Sequence, residues 1–360
     1  MSYNKIKLEV LPSEQPEPSN YLFPSNDGYL LDSERIGNFE WWYFDCIDIQ
    51  NNCLLKIVVH LGTDPLRTRF FPKLAISIKT PEASRAIELE YNLKDFHAER
   101  NCCDVRLRQD CHIYSDNENS GYYHIDINIS GFRASLIFKQ TVPVWVPPAH
   151  KIKASKGNRH SEMFWNVLQP RSMVDGSFQY NNIRYTLHDA IGYHDHNYWQ
   201  LNSEQGLHMD EVITRWYWGK CVAGPYTVIF METWMSGVSV KSIMVSEHDK
   251  IVYCTDKNIT IKVDKEILHA PLKSKYPSQI TLQINNEDFP FELVLNCQEL
   301  IESKDLLKGV NPLIAWLVKG LVARPAYYGI YSTAILETPN QKLEGFGIYE
   351  FMLFRKYKQG

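Results

Sequence analysis

Net charge is small in this chain, with 38 basic against 42 acidic residues. Charged residues make up 22% of the 360 positions and the formal net charge is −4, so no strong field gathers nucleic acid or anionic lipid. The one local basic run, His150-Lys151-Ile152-Lys153 to Lys156 and Arg159, reads as a solvated loop. Paired-cysteine motifs are missing as well. The eight cysteines (46, 53, 102, 103, 111, 221, 254, 297) form no C-x-x-C pair and no zinc-ribbon spacing, which points to reduced, mostly buried thiols of a cytoplasmic protein. No hydrophobic signal core follows the start Met-Ser-Tyr-Asn-Lys-Ile-Lys, so secretion is not expected. The longest apolar run, Pro312 to Ala323, contains Lys319 and is too short to span a bilayer. A transient contact with a membrane surface, to receive a lipid-soluble substrate, is a second use for it.

Aromatic residues are abundant: 9 Trp, 21 Tyr and 16 Phe. They favour strands and bring large apolar area with a negative π-face. Residues 1–28 carry Pro12, Pro16, Pro18 and Pro24 and read as an irregular N-terminal arm. Short β-branched and aromatic stretches then recur, among them Glu40–Ile49, Leu54–Leu61, Tyr122–Ile129 and Ala134–Phe138, with Asn51-Asn52 and Ser130-Gly131 as hairpin turns. Tyr123, Ile125, Ile127 and Ile129 alternate with His124, Asp126 and Asn128, the period of a half-buried strand. The Pro-rich stretch Thr141–His160 breaks the rhythm like a linker, after which strands resume to Phe354. Only Ser303–Leu321 looks helical, broken by Gly309, Asn311 and Pro312. Many short strands with almost no helix argue for barrels or sandwiches.

Four constellations could carry chemistry. In Gly37-Asn-Phe-Glu-Trp-Trp-Tyr-Phe-Asp45, a strand puts Glu40, Trp42 and Phe44 on one face and Trp41, Tyr43 and Asp45 on the other. A carboxyl among rings loses solvation of its charged form and can hold a proton at neutral pH; bonding to backbone or Arg in a barrel wall is the structural alternative. In Leu187-His188-Asp189-Ala-Ile-Gly-Tyr193-His194-Asp195-His196-Asn-Tyr-Trp199, His194 and His196 share a face with Asp195 opposite. H-x-H is also a metal-ligand spacing, which His208 or Glu211 could complete, against a general acid oriented by Asp195 or Asp189 or a plain polar cluster. The third is Arg215-Trp216-Tyr217-Trp218-Gly219 with the strand Tyr226–Trp234, where Glu232 shares a face with Val228, Phe230 and Trp234. The last, Gly345-Phe-Gly-Ile-Tyr-Glu-Phe-Met352, reads as a closing strand whose glycines permit a bulge.

In that order, GNFEWWYFD, GYHDHNYW, WYWG and GFGIYEFM resemble the hydroxyneurosporene synthase (carotenoid 1,2-hydratase)/AttH-like family. Lipocalin-like tocopherol cyclases and fungal Diels–Alderases are similar at a greater distance. The stretch Trp165–Pro170 with Arg171 to Gly176 also resembles the family's segment preceding its Asp-His motif. The resemblance covers Gly37 to Met352. It implies an all-β fold of two lipocalin-like antiparallel β-barrel domains packed together, with one short broken helix near the C-terminus. The domains would be an arm at 1–28, a first barrel at 29–205 and a second at 206–360, with residues 141–160 a crossing within the first. Two departures stand out: Tyr198 interrupts the family's Asp-His-Asn/Gln-Trp-Gly motif with Gln200 in place of its glycine, and Met231-Glu232 stands where the hydratases resemble Tyr-Asp.

The function expected is that of a cyclase without cofactor or metal, closing a ring on a lipophilic polyene or terpenoid-like intermediate. Its catalytic residues would come from Glu40, His194, Asp195, His196 and Glu232. Trp42, Phe44, Tyr193, Trp199, Trp216, Trp218, Trp234 and Tyr331 would line the substrate site, and each π-face contact to a carbocation is worth on the order of 1–2 kcal/mol. A hydratase adding water to a C=C bond, a non-catalytic carrier of lipophilic ligands, and a metal-dependent oxygenase or hydrolase built on His194 and His196 are the alternatives.

Overall fold

The computed structural model describes residues 5–11, 27–64, 67–116, 121–202, 205–287, 289–308 and 324–355. Strand makes up 71% of it and helix 2%, which settles an all-β fold built from two curled antiparallel sheets. The strands of the first half are β1 (Lys7–Leu11), β2 (Phe39–Asp48), β3 (Cys53–Thr63), β4 (Phe70–Lys79), β5 (Ser84–Glu90), β6 (Phe96–Ala98), β7 (Asp104–Leu107), β8 (Cys111–Ser115), β9 (Tyr122–Ile129), β10 (Phe132–Gln140), β11 (Lys151–Lys156), β12 (Arg159–Tyr180) and β13 (Ile183–Leu201). The second half supplies β14 (Ile213–Ala223), β15 (Tyr226–Met235), β16 (Val238–Glu247), β17 (Lys250–Thr255), β18 (Ile259–His269), β19 (Ser274–Ile284), β20 (Phe291–Asp305), β21 (Ala326–Thr338) and β22 (Gln341–Leu353).

The chain divides into two compact units, residues 14–146 with 162–201, and residues 1–13, 147–161 and 202–360. In the first unit the strand order is β5-β4-β3-β2-β13-β12-β10-β9-β8-β7-β6. Asn52 (φ 50) and Gly131 (φ 80) take the left-handed conformation that tight hairpins need, as Asn51-Asn52 and Ser130-Gly131 predict. The inward residues of β9, Tyr123, Ile125 and Ile127, are buried as the alternation requires, while Asp126 and Asn128 are exposed. The two ends of this sheet approach one another. The Tyr91 hydroxyl, after β5, donates to Asp110 Oδ2 at 3.1 Å, and the Arg108 guanidinium lies 5.2 Å over its ring. One apolar core fills the curl, with Trp42, Phe44, Tyr123, Phe132, Phe138 and Phe178 among its largest members.

The second unit holds the order β17-β16-β15-β14-β22-β21-β20-β19-β18 and the β1–β11 pair. Lys241 Nζ on β16 donates to the Ile259 carbonyl on the far-edge strand β18 at 3.0 Å, so this sheet curls as well, around a separate core that includes Phe230, Tyr328, Tyr349 and Phe351.

Three segments differ from the sequence expectation. The basic run is a strand, β11, because Ile152 and Ala154 alternate with lysines and are buried. The sequence reads strands at Tyr226–Trp234 and Ile251–Cys254 with none between, yet β16 lies there, poor in aromatic residues, and pairs along its whole length with β15. Of the helix expected at Ser303–Leu321, Ser303–Asp305 close strand β20 and 309–321 lie outside the described residues, as does the apolar run from Pro312. The helix among the described residues is one α-turn, α1 (Met209–Val212), and one 3₁₀ turn, Leu93–Asp95. All eight cysteines are free thiols, five of them buried.

Gly176, on β12, has φ +132, and a Cβ there would stand 2.2 Å from the Ser135 carbonyl oxygen. Gly176→Ala should therefore cost about 2–4 kcal/mol, read as a lower urea midpoint by tryptophan fluorescence. An unchanged midpoint would contradict the pairing of Gly176 with Leu136 between β12 and β10.

Candidate active site

Pairing of β2 with β13 sets Phe44 opposite His194, Trp42 opposite His196 and Glu40 opposite Tyr198. Cross-strand neighbours point to the same face, so the alternation brings Glu40, Trp42, Phe44, His194 and His196 together inside the first unit. All five have no exposed surface. Phe44 stacks on His194 with centroids 3.8 Å apart and planes 6° from parallel, and Trp42 stacks on His196 at 4.6 Å.

The polar ends of these side chains meet a residue from the N-terminal arm. Asp27, also fully buried, places Oδ2 3.0 Å from His194 Nε2 and Oδ1 3.3 Å from His196 Nδ1. The other nitrogen of each ring is engaged too: His194 Nδ1 lies 3.0 Å from the Tyr43 carbonyl, and His196 Nε2 lies 2.9 Å from Glu40 Oε1. Glu40 accepts the backbone N–H groups of Leu30 (2.7 Å) and Leu31 (3.2 Å), while Trp42 Nε1 donates to the Asp27 carbonyl at 2.9 Å. Residues 27–31 thus form a strap across the cluster. It is pinned outside by Tyr29 N–H to the Glu99 carbonyl at 2.7 Å and by Arg100, which donates to the Tyr29 carbonyl and covers its ring. Gly28 is required there, since a Cβ would sit 2.1 Å from the Arg100 carbonyl oxygen.

Burial opposes the charge on His196 and on Asp27, and pairing overrides it in both. For His196, desolvation pulls the pKa down, but contact with Asp27 and Glu40 raises it from 6.5 to about 9. For Asp27, desolvation pushes upward, and the charges and hydrogen bonds of His194 and His196 take its pKa below the ordinary carboxylate range. The Tyr123 hydroxyl and the Cys103 thiol also address Asp27; burial, then its negative charge, holds both well above their usual pKa values. Proton affinity in the cluster is therefore raised at His196. Three of the four ring nitrogens hydrogen-bond protein oxygens and the fourth, His196 Nδ1, faces Asp27 Oδ1 at 3.3 Å, so a metal at His194 would have to displace such contacts.

The opposite face of β13 carries a different arrangement. Asp195 accepts from the Tyr193 hydroxyl (2.8 Å), Trp165 Nε1 (2.9 Å) and Asn197 Nδ2 (2.9 Å), and Trp199 lies on that face as well. The remaining predicted residues belong to the second unit. Glu232 accepts from Ser239 Oγ at 2.6 Å and lies 3.6 Å from Lys241 Nζ. Trp234 lies beneath the Arg215 guanidinium at 4.8 Å, Trp216 meets Phe354 edge to face, Trp218 is buried, and Tyr331 is half-buried on β21. His208 caps α1 and Glu211 pairs with Arg159. A surface concavity of 360 Å³ at the rim of the second sheet, lined by Gln283, Phe291, Glu292, Glu337 and Pro339, includes none of the predicted site residues. Asp175, His188 and Asp189 lie at cation-ligand spacing on the surface of the first unit, away from the paired histidines' face.

Comparison with solved structures gives this architecture a place. An AttH-type protein of Nitrosomonas europaea superposes with a TM-score of 0.64 at 12% identity, over 95% of this chain and 98% of that one. Kievitone hydratase of Nectria haematococca gives 0.54 at 12% identity, over 87% and 88%, and CghA gives 0.58 at 10% identity, over 98% and 100%. The chain shares their fold. Neither a family model nor a curated protein matches the sequence. The likeness therefore lies in the two-sheet architecture expected from the motifs. Among the described residues, no helix is long and apolar enough to cross a membrane.

Two measurements test the cluster. Folding raises the proton affinity of His196, so its stabilisation is complete below pH 6.5 and fades as pH climbs through about 9. Asp27 contributes above 3.8 and loses its contribution as pH falls below that value. Urea unfolding should show greatest stability between about pH 4 and 6.5 and a loss of about 3 kcal/mol by pH 9 to 10. That alkaline loss should vanish in His196→Gln. Gly28→Ala should dislodge the strap, lowering thermal stability and moving the alkaline loss toward pH 6.5; a wild-type pH profile in this variant would separate the strap from the histidines.

Proposed function

We propose that the protein is an acid–base enzyme, working without a cofactor, that closes a ring on an unsaturated, largely apolar small molecule. The observation that carries this reading is His196, a fully buried ring between Asp27 and Glu40 against the face of Trp42, whose carboxyl neighbours raise its proton affinity. Addition across a C=C bond needs a proton delivered to one carbon and a nucleophile at the other. When substrate displaces the strap, His196 Nδ1–H is released from Asp27 and turns to the substrate. The product-forming cation returns a proton to the now-neutral Nδ1, while Glu40, 2.9 Å from His196 Nε2, holds the Nε2 proton and the ring in place throughout. One proton enters, one leaves, and the cluster is restored.

The Trp42 ring beside His196 offers its π-face to positive charge that develops on carbon, a contact worth about 1–2 kcal/mol. Full burial favours capture by a carbon or hydroxyl of the same molecule over capture by bulk water, which gives cyclisation the first place. Water addition is the second reading, favoured by the shared fold with a protein named a hydratase. A carrier has less need of a charged, desolvated tetrad, since a buried ion pair costs desolvation that an apolar lining does not.

Purified protein incubated with acyclic unsaturated terpenoid alcohols and ketones, with no metal or nucleotide added, should convert one of them to an isomer of unchanged mass. A product heavier by one water would assign the hydratase reading. Glu40→Gln and His196→Gln should each lower kcat by about 10²–10⁴ with little change in KM. Equal turnover by wild type and both variants would remove the cluster from the chemistry.

A further inference from the structure

Strand β12 carries polar groups that the protein itself leaves unused. Asn166 has no exposed surface, and among the described residues neither its Nδ2 nor its Oδ1 has a hydrogen-bond partner. Ser172 Oγ is in the same condition. Burying an amide with donor and acceptor both unmet is strongly unfavourable, and native interiors hold few such groups.

The fold places both groups on the side of the strand that faces the histidines. Phe164 stacks on Tyr198 with centroids 5.1 Å apart, and the Tyr198 hydroxyl donates to Glu162 Oε1 at 2.5 Å. Strands β12 and β13 are antiparallel neighbours. Two residues on from Phe164 along β12 therefore stands beside two residues back from Tyr198 along β13, which sets Asn166 level with His196. Farther along, the space a Cβ would take at Gly192 is filled by Ser172 Oγ, Val174 and Phe138. Phe138 packs edge to face on Phe44, the ring stacked on His194. Asn166 and Ser172 thus flank the two histidines.

Resting on the acid–base reading above, we infer that the substrate is oxygenated rather than a hydrocarbon polyene, with a carbonyl or hydroxyl oxygen that bonds Asn166 next to His196. The carboxamide donates Nδ2–H to that oxygen and, where the oxygen bears a proton, accepts it at Oδ1. Ser172 supplies a second polar contact for a longer molecule. Asn166 is then the residue that fixes which double bond His196 addresses, and it discriminates by leaving its own amide unmet when an oxygen-free molecule enters.

The test uses two probes with the same isoprenoid skeleton, farnesal with its aldehyde and farnesene without oxygen, titrated into the full chain by tryptophan fluorescence. Wild type should bind farnesal at least about tenfold more tightly. Asn166→Leu, close in shape and apolar, should abolish that preference and leave farnesene binding within about twofold. Free of ligand, this variant should melt at the same temperature as wild type or higher, because it removes a buried unmet amide. Absence of a farnesal preference in wild type, including binding of neither probe, overturns the inference. So does Asn166→Leu melting several degrees lower while the preference persists, which would make the amide a structural group. If the preference follows Asn166 but Glu40→Gln leaves turnover unchanged, the substrate class stands and the acid–base assignment falls.

Discussion

One contact governs the rest of the first unit: the imidazolium of His196 between the carboxylates of Asp27 and Glu40, with His194 on the other side of Asp27. No member of this set could be buried alone, because an isolated charge in an apolar interior is unsustainable. Together they compensate, and two backbone N–H groups from the strap complete Glu40. The aromatic rings on either side exclude competing partners while presenting apolar area to anything that enters. The groups that hold the strap to the sheet are therefore the same ones whose proton affinities are perturbed.

The wall that carries the cluster is used on both faces. Odd-numbered residues of β13 gather donors around Asp195, and even-numbered ones hold the histidines. Three hydrogen bonds to Asp195 tie Tyr193 and Asn197 on β13 to Trp165 on β12, and so lock the strand from behind. His194 and His196 gain orientation from that side without touching it. A one-residue slip would exchange the two sets.

Much of this was legible in the amino-acid order. Period-two alternation in FEWWYFD and YHDHN was enough to put Glu40, Trp42 and Phe44 on one face and His194 and His196 on one face; β2–β13 pairing then makes them neighbours. Asp27 was not legible. It lies at the end of an arm whose prolines and polar residues signal irregular chain, and no local pattern reveals that such a segment returns across a barrel. Asn166 was hidden for another reason: an asparagine in a strand is ordinary until its burial and its lack of partners are known. Trp216, Trp218, Trp234 and Tyr331 shared the aromatic character of the first motifs, and Glu232 lay among such rings, but composition cannot distinguish two cores of the same kind. Likewise β11 was masked by its lysines, although its buried alternation was present throughout.

The separation of Asp27 from His194 along the chain, 167 residues, bears on how the protein is made. The strap leaves the ribosome early and its counter-charges leave late, so the first unit has to hold an open interior until β13 arrives. Closing so long a loop is slow and gives no reward until the last strand docks. The cluster can thus be completed only once β13 is made, and a nascent chain halted short of β13 lacks both histidine partners of Asp27.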